Sequence, residues 1–93
     1  MKKIVILGAS GSIGVQTLDV IAQHSEQLQC LGISVGQKID WLKDHLTAHS
    51  YQLVVVKNQN DMDELSKLFP SQEFDCGDKG LLRLATLDEA DTV

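Results

Sequence analysis

Three glycines in seven residues, Gly8-Ala9-Ser10-Gly11-Ser12-Ile13-Gly14, come directly after a continuous apolar run, Ile4-Val5-Ile6-Leu7. No other feature of the chain restricts its fold as much. A strand that is apolar at every position, rather than at every second one, is buried on both faces, the condition of a central strand in a parallel sheet. After the glycines, the segment 12–24 sets Ile13, Leu18 and Ile21, with Gly14 and Thr17, at three- and four-residue steps, the spacing of one helix face. Buried strand, glycine turn and amphipathic helix in that order predict the opening of an α/β unit.

The rest of the chain repeats the alternation. A second apolar run, 28–35, ends at Gly36, and a helix over 39–48 carries Ile39, Leu42 and Leu46 on one stripe. Leu53-Val54-Val55-Val56 is a third strand, and a helix capped near Asn60 runs to Phe69, where Pro70 stops it. Beyond this the pattern weakens: a short strand over 73–76, a short turn or helix over 79–84, and the start of another helix over 87–91. The order βαβαβα plus a short fourth strand predicts a Rossmann-like doubly wound parallel sheet with right-handed crossovers. A full dinucleotide-binding sheet has six strands, so residues 1–93 are expected to be the N-terminal part of a larger domain, the remainder and any catalytic domain lying outside the chain.

The glycine spacing, G-x-x-G-x-x-G, is a variant of the dinucleotide fingerprint, and each glycine has its own physical reason. Gly8 lets the chain leave the strand in a tight turn, Gly11 removes a side chain where a pyrophosphate approaches, and Gly14 lets the helix pack on the strand. The N–H groups of Gly11, Ser12 and Ile13 are expected among the unpaired donors of the first helical turn, where the dipole favours an anion. Ser10 and Ser12 add hydroxyls. The second strand then ends in Ile33-Ser34-Val35-Gly36-Gln37-Lys38, without the acid that holds a ribose diol in NAD sites. Space at Gly36, an amide at Gln37 and a cation at Lys38 favour a 2′-phosphate, hence NADP.

Other candidates carry less. His45 and His49 are four apart and could face one metal, but no H-E-x-x-H motif forms around them. Trp41, on the same face, reads as a packing residue, and Asp61, Asp63 and Glu64 read as acids of a first helical turn. Asp19 is expected to be solvated and Cys30 to be an inert buried thiol. No nucleophile–base pair is evident. Eight basic residues against 13 acidic ones leave a formal charge of −5, which argues against a nucleic-acid binder. Two isolated cysteines point to a reducing compartment, and no apolar run approaches the 20 or so residues of a membrane span. A soluble, cytoplasmic chain is expected.

Three stretches together resemble one family. Lys3-Ile4-Val5-Ile6-Leu7-Gly8-Ala9-Ser10-Gly11-Ser12-Ile13-Gly14, then Thr17-Leu18-Asp19-Val20-Ile21, then Val35-Gly36-Gln37-Lys38 are similar to the opening of the 1-deoxy-D-xylulose 5-phosphate reductoisomerases. That family's pattern is ILG-(S/A)-(T/S)-GSIG followed by TLDV. The resemblance implies an NADPH-dependent oxidoreductase of non-mevalonate isoprenoid biosynthesis, acting on a phosphosugar with magnesium or manganese and homodimeric when complete. It implies that Ser10, Gly11, Ser12 and Ile13 contact the NADPH phosphates and that Gly36, Gln37 and Lys38 surround the adenosine 2′-phosphate. The chain departs from the family's common Gly-Lys/Arg-Asn by carrying Gln37-Lys38, so the cation comes one place later. The family's metal and substrate residues match nothing here, and the 93 residues alone are expected to be inactive. Two other readings share the glycine pattern: an NADP-dependent sugar-nucleotide epimerase or reductase of the extended short-chain type, and a non-catalytic nucleotide-sensing module.

Overall fold

The first apolar run is buried as its composition demands. In the computed structural model, which describes residues 2–87 and 90–93, Ile4, Val5 and Ile6 of strand β1 (Lys2–Ile6) are all buried. Successive side chains of a strand point to opposite faces, so β1 contributes to two separate apolar layers. Ile4 and Ile6 join one with Ile33, Val35, Val54 and Val56, and Val5 joins the other with Leu31, Leu53 and Val55. A strand can serve two layers only if both faces of the sheet are covered.

The elements that cover it follow in strict alternation: α1 (Ser12–Gln23), β2 (Leu28–Ser34), α2 (Ile39–Leu46), β3 (Leu53–Val56), α3 (Gln59–Leu68), β4 (Phe74–Cys76), α4 (Gly77–Ala85) and β5 (Asp91–Thr92). The five strands form one sheet in the order β4-β3-β2-β1-β5, and every neighbouring pair is parallel. The chain therefore steps outward from β1 to β4 and then returns past β1 to add β5 on its far side. Parallel crossovers are right-handed, so steps taken in opposite directions along the sheet place their helices on opposite faces. Accordingly Ile21 of α1, Leu42 and Leu46 of α2 and Leu65 of α3 lie in the first layer, whereas Leu84 of α4 lies in the second. This is the doubly wound α/β arrangement expected from the sequence.

Several details differ from expectation. The sheet has five strands rather than four. Asp91–Thr92 pairs with Ile4 and Val5, although Asp91 is expected to belong to a helix start. Its alignment is held by backbone bonds: the Leu7 N–H donates to the Val93 carbonyl and the Val93 N–H to the Val5 carbonyl, each at 2.9 Å. Pairing through main-chain groups, with an exposed Lys2–Asp91 ion pair at 3.4 Å beside it, leaves no hydrophobic period to read. The rest of that expected helix includes positions 88 and 89, outside the described residues. The segment 79–84, a short turn or helix by its sequence, lies within the nine-residue helix α4. Helix α2 stops at Leu46, two residues early. The cap of α3 is Asn58, whose Oδ1 accepts the Asp61 N–H at 2.9 Å, not Asn60. Asp61 does stand in the first turn, as expected of an acid near a helix N-terminus.

Polar contacts join neighbouring elements at the surface. Lys43 of α2 pairs with Glu64 of α3 at 2.5 Å. Arg83 of α4 bridges Glu73 and Asp75 around β4, with Asp75 at 2.9 Å, and this guanidinium holds the Asp75 carboxyl below the usual carboxylate range. Glu64, Glu73 and Arg83 are exposed and Lys43 and Asp75 only partly covered, so these pairs add little stability.

Candidate nucleotide-binding site

The strand order β4-β3-β2-β1-β5 reverses direction at β1, and a crevice lies at the carboxyl ends of β1 and β5. In open α/β sheets, ligands bind at such a point. Here it is a cleft of about 340 Å³ lined by Ile6, Leu7, Gly8, Gly11, Ser12, Ile13, Gly14, Thr17 and Val93. The glycine turn is its wall and the start of α1 its end.

Gly8 and Gly14 play the turn and packing roles that the sequence predicts. Gly8 has φ +71°, a conformation that side-chain-bearing residues rarely adopt. At Gly14 a Cβ would lie 2.4 Å from the Gly8 carbonyl oxygen and 2.6 Å from the Ala9 Cα, so the helix sits directly on the turn. Gly11 is different. Its φ of −77° and ψ of 170° suit any residue, and a Cβ there would meet only the Gly8 oxygen, at 3.4 Å. Nothing in the chain's own packing requires a glycine at this position.

The turn is held from below by a residue that the motif does not include. Ser34, the last residue of β2 and only 8% exposed, accepts the Gly8 N–H on Oγ at 2.9 Å and the Ala9 N–H on its carbonyl at 2.8 Å. A hydroxyl near the end of a mostly apolar run is the available signal for it. One expected donor is already taken: the Gly11 N–H is spent on the Gly8 carbonyl at 3.1 Å. No acceptor among the described residues meets the N–H groups of Ser12 and Ile13, and Gly11 gives no side-chain cap to α1. Two main-chain donors at the positive end of a 12-residue helix are thus left for an anion. Ile13, which helical spacing puts on the apolar stripe, is 74% exposed and borders the cleft.

Ser10 sits half-buried in the turn and does not line the cleft. Gly36 lines a second groove of about 330 Å³, with Gly8, Ser34, Val35, Val55, Val56, Lys57, Gly77, Asp78 and Leu81. Gly8 borders both cavities, so they are adjacent across the glycine turn. Gln37 and Lys38 are exposed at the entry to α2 and line neither cavity. The structure therefore brings Gly11, Ser12 and Ile13 together in one cleft and Gly36 into the next, and sets Gln37 and Lys38 outside both.

The remaining candidates resolve as packing. Trp41 and His45 stack at 4.7 Å, His45 and His49 at 4.3 Å, and the Tyr51 hydroxyl lies 2.5 Å from His45 Nε2. Parallel stacked rings do not converge on a shared metal. Among the described residues no group of three His, Cys, Asp or Glu side chains is placed to hold one. Burial, then the neighbouring His49, holds the His45 pKa below its ordinary value. Burial pushes the Cys30 thiol up to about 11, so the thiolate is scarce near neutrality.

Comparison with known proteins adds to this geometry. The family profile of 1-deoxy-D-xylulose 5-phosphate reductoisomerase matches residues 4–93. A 1-deoxy-D-xylulose 5-phosphate reductoisomerase of Clostridium perfringens is 39% identical over 97 aligned positions, covering all of this chain and 25% of the relative. A crystal structure of DOX-P reductoisomerase in complex with magnesium superposes with a TM-score of 0.85 at 25% identity, and covers all of this chain and 24% of that one. Another, in complex with NADPH, fosmidomycin and magnesium, has a TM-score of 0.83 at 25% identity with the same coverage. The chain spans about a quarter of the length of the curated relatives it matches. No helix among the described residues is long and apolar enough to cross a membrane.

Proposed function

The chain belongs to the 1-deoxy-D-xylulose 5-phosphate reductoisomerase family, and from that premise we propose that it forms the NADPH-binding part of such an enzyme. The single observation that carries this reading is Gly11, a glycine in the loop that the chain's own packing does not require. A position kept free of a side chain beside two unused helix N–H donors fits a pyrophosphate approaching the main chain. Ser12 and Ile13 would hold it through those N–H groups, with the Ser10 and Ser12 hydroxyls close by in sequence. Gly36, Gln37 and Lys38, at the end of β2, would receive the adenosine end and its 2′-phosphate.

When bound, NADPH supplies the hydride that reduces the rearranged phosphosugar, and the residues here bind and orient it. The divalent cation of the family finds no comparable fit, because no cluster of three metal-ligating side chains exists among the described residues. Conversion of 1-deoxy-D-xylulose 5-phosphate to 2-C-methyl-D-erythritol 4-phosphate, a cytoplasmic location and a homodimer belong to the same proposal for the whole enzyme.

Titrating the chain with NADPH, NADH and FAD tests the reading. Binding of NADPH in preference to the other two, abolished in Gly11→Val while the fold persists, is the expected result. A Gly11→Val variant that binds NADPH like the parent would make the loop purely structural and overturn the assignment.

A further inference from the structure

We propose that Lys57 is a second cation for the nucleotide's 2′-phosphate, reaching it from the end of β3. This rests on the NADPH reading above and assigns a specificity-determining residue to it. The groove beyond the glycine turn is bounded by Gly36 at the end of β2, by Lys57 immediately after β3, and by Gly77 and Asp78 at the start of α4, with exposed Leu81 as an apolar wall. It shares Gly8 with the phosphate cleft. A dinucleotide whose pyrophosphate lies over the glycine turn therefore directs its adenosine end into this groove.

The groove contains no acid at the end of β2 to hold a ribose diol, and Gln37, beside Gly36, is neutral. Lys38, the cation nearest in sequence, lines neither cavity. Lys57 does line the groove. It makes no ion pair or hydrogen bond among the described residues, although Asp78 borders the same space, whereas Lys2, Lys43 and Arg83 are each paired with acids. Adjacent parallel strands put residues just past their carboxyl ends side by side, so Lys57 and the backbone of Gly36 face one volume. A phosphate dianion at the mouth of the groove would meet Lys57 from β3, with Lys38 outside the groove at the start of α2. A neutral diol would gain from neither charge.

The test compares 2′,5′-ADP with 5′-AMP, and NADPH with NADH, on the unsubstituted chain and on Lys57→Ala, Lys57→Gln and Lys57→Arg. Removing one charge-assisted hydrogen bond, Lys57→Ala and Lys57→Gln should weaken 2′,5′-ADP and NADPH by about tenfold, with 5′-AMP and NADH changed less than about twofold. Lys57→Arg should retain most of the affinity. The side chain is exposed, so melting temperatures should not move. Equal losses for the phosphorylated and unphosphorylated ligands would assign Lys57 to the base or the pyrophosphate and overturn the proposal. Weaker 2′,5′-ADP binding in Lys38→Ala with none in Lys57→Ala would also overturn it while leaving the cofactor reading intact. Failure of the unsubstituted chain to bind NADPH at all would overturn both.

Discussion

Replacing Gly14 by alanine separates the structural role of the glycine loop from its ligand role. The added Cβ would lie 2.4 Å from the Gly8 carbonyl oxygen, 2.6 Å from the Ala9 Cα and 2.8 Å from the Ala9 carbonyl carbon. All three are backbone atoms, so no rotamer change relieves the overlap. Restoring an ordinary 3.4 Å approach requires α1 and the turn to part by about 1 Å. The turn cannot yield freely, because Gly8 and Ala9 are both bonded to Ser34 at 2.9 and 2.8 Å. A shift of that size would break at least one of these bonds, contributing about 1 kcal/mol, on top of about 1–3 kcal/mol for overpacking. The better helix propensity of alanine returns about 1 kcal/mol. The net destabilisation is about 1–3 kcal/mol, or roughly 5–20 °C in Tm for a domain of this size. Gly11→Ala is the control: its backbone conformation is open to alanine and its nearest neighbour is 3.4 Å away, so stability should change by less than about 1 kcal/mol. Thermal and urea unfolding followed by circular dichroism measures both. A Gly14→Ala variant that melts with the parent, or a Gly11→Ala variant that falls as far, would refute the division of roles.

Ser34→Ala removes the acceptor of a partly buried N–H at Gly8, so it should cost about 1–3 kcal/mol and weaken NADPH by loosening the turn; stability and affinity that both stay unchanged would show the turn holding itself. Lys38→Ala should weaken NADPH by about tenfold and NADH hardly at all, the low end for an ionic contact because Lys38 is exposed, and added salt should reproduce part of the effect. Equal weakening of both cofactors would mean that Lys38 acts through the fold. The Cys30 thiol has its pKa raised from 9.0 to about 11 in the folded chain, so the unfolded chain ionises first. Its contribution to stability is full below pH 9 and disappears as pH rises from 9 to 11, so the parent should lose more stability over that window than Cys30→Ala. Parallel stability curves for the two would contradict the raised value.

The elements near the start of the chain were legible because their signals are local. β1 is a continuous apolar run, α1 has a helical stripe and the loop has glycine spacing, and each of these is set by steric and burial rules acting within a few residues. The same rules separated the roles of Gly8 and Gly14, and the missing acid at the end of β2 needed only the order of residues. What the sequence could not determine depends on which segments meet. β5 exists because Asp91 and Thr92 find the free edge of β1, a pairing made mainly by main-chain groups that every residue carries alike, with one exposed Lys2–Asp91 ion pair. Ser34 under the glycine turn and Lys57 in the groove with Gly36 join positions 26 and 21 apart, brought together by the sheet. The second groove itself arises because α4 crosses the face opposite α1–α3, a consequence of right-handed crossovers taken in two directions from β1. Local chemistry wrote the strand, the turn and the helix; the assembled sheet decided which side chains share a cavity, because that depends on distances through space that no spacing along the chain encodes.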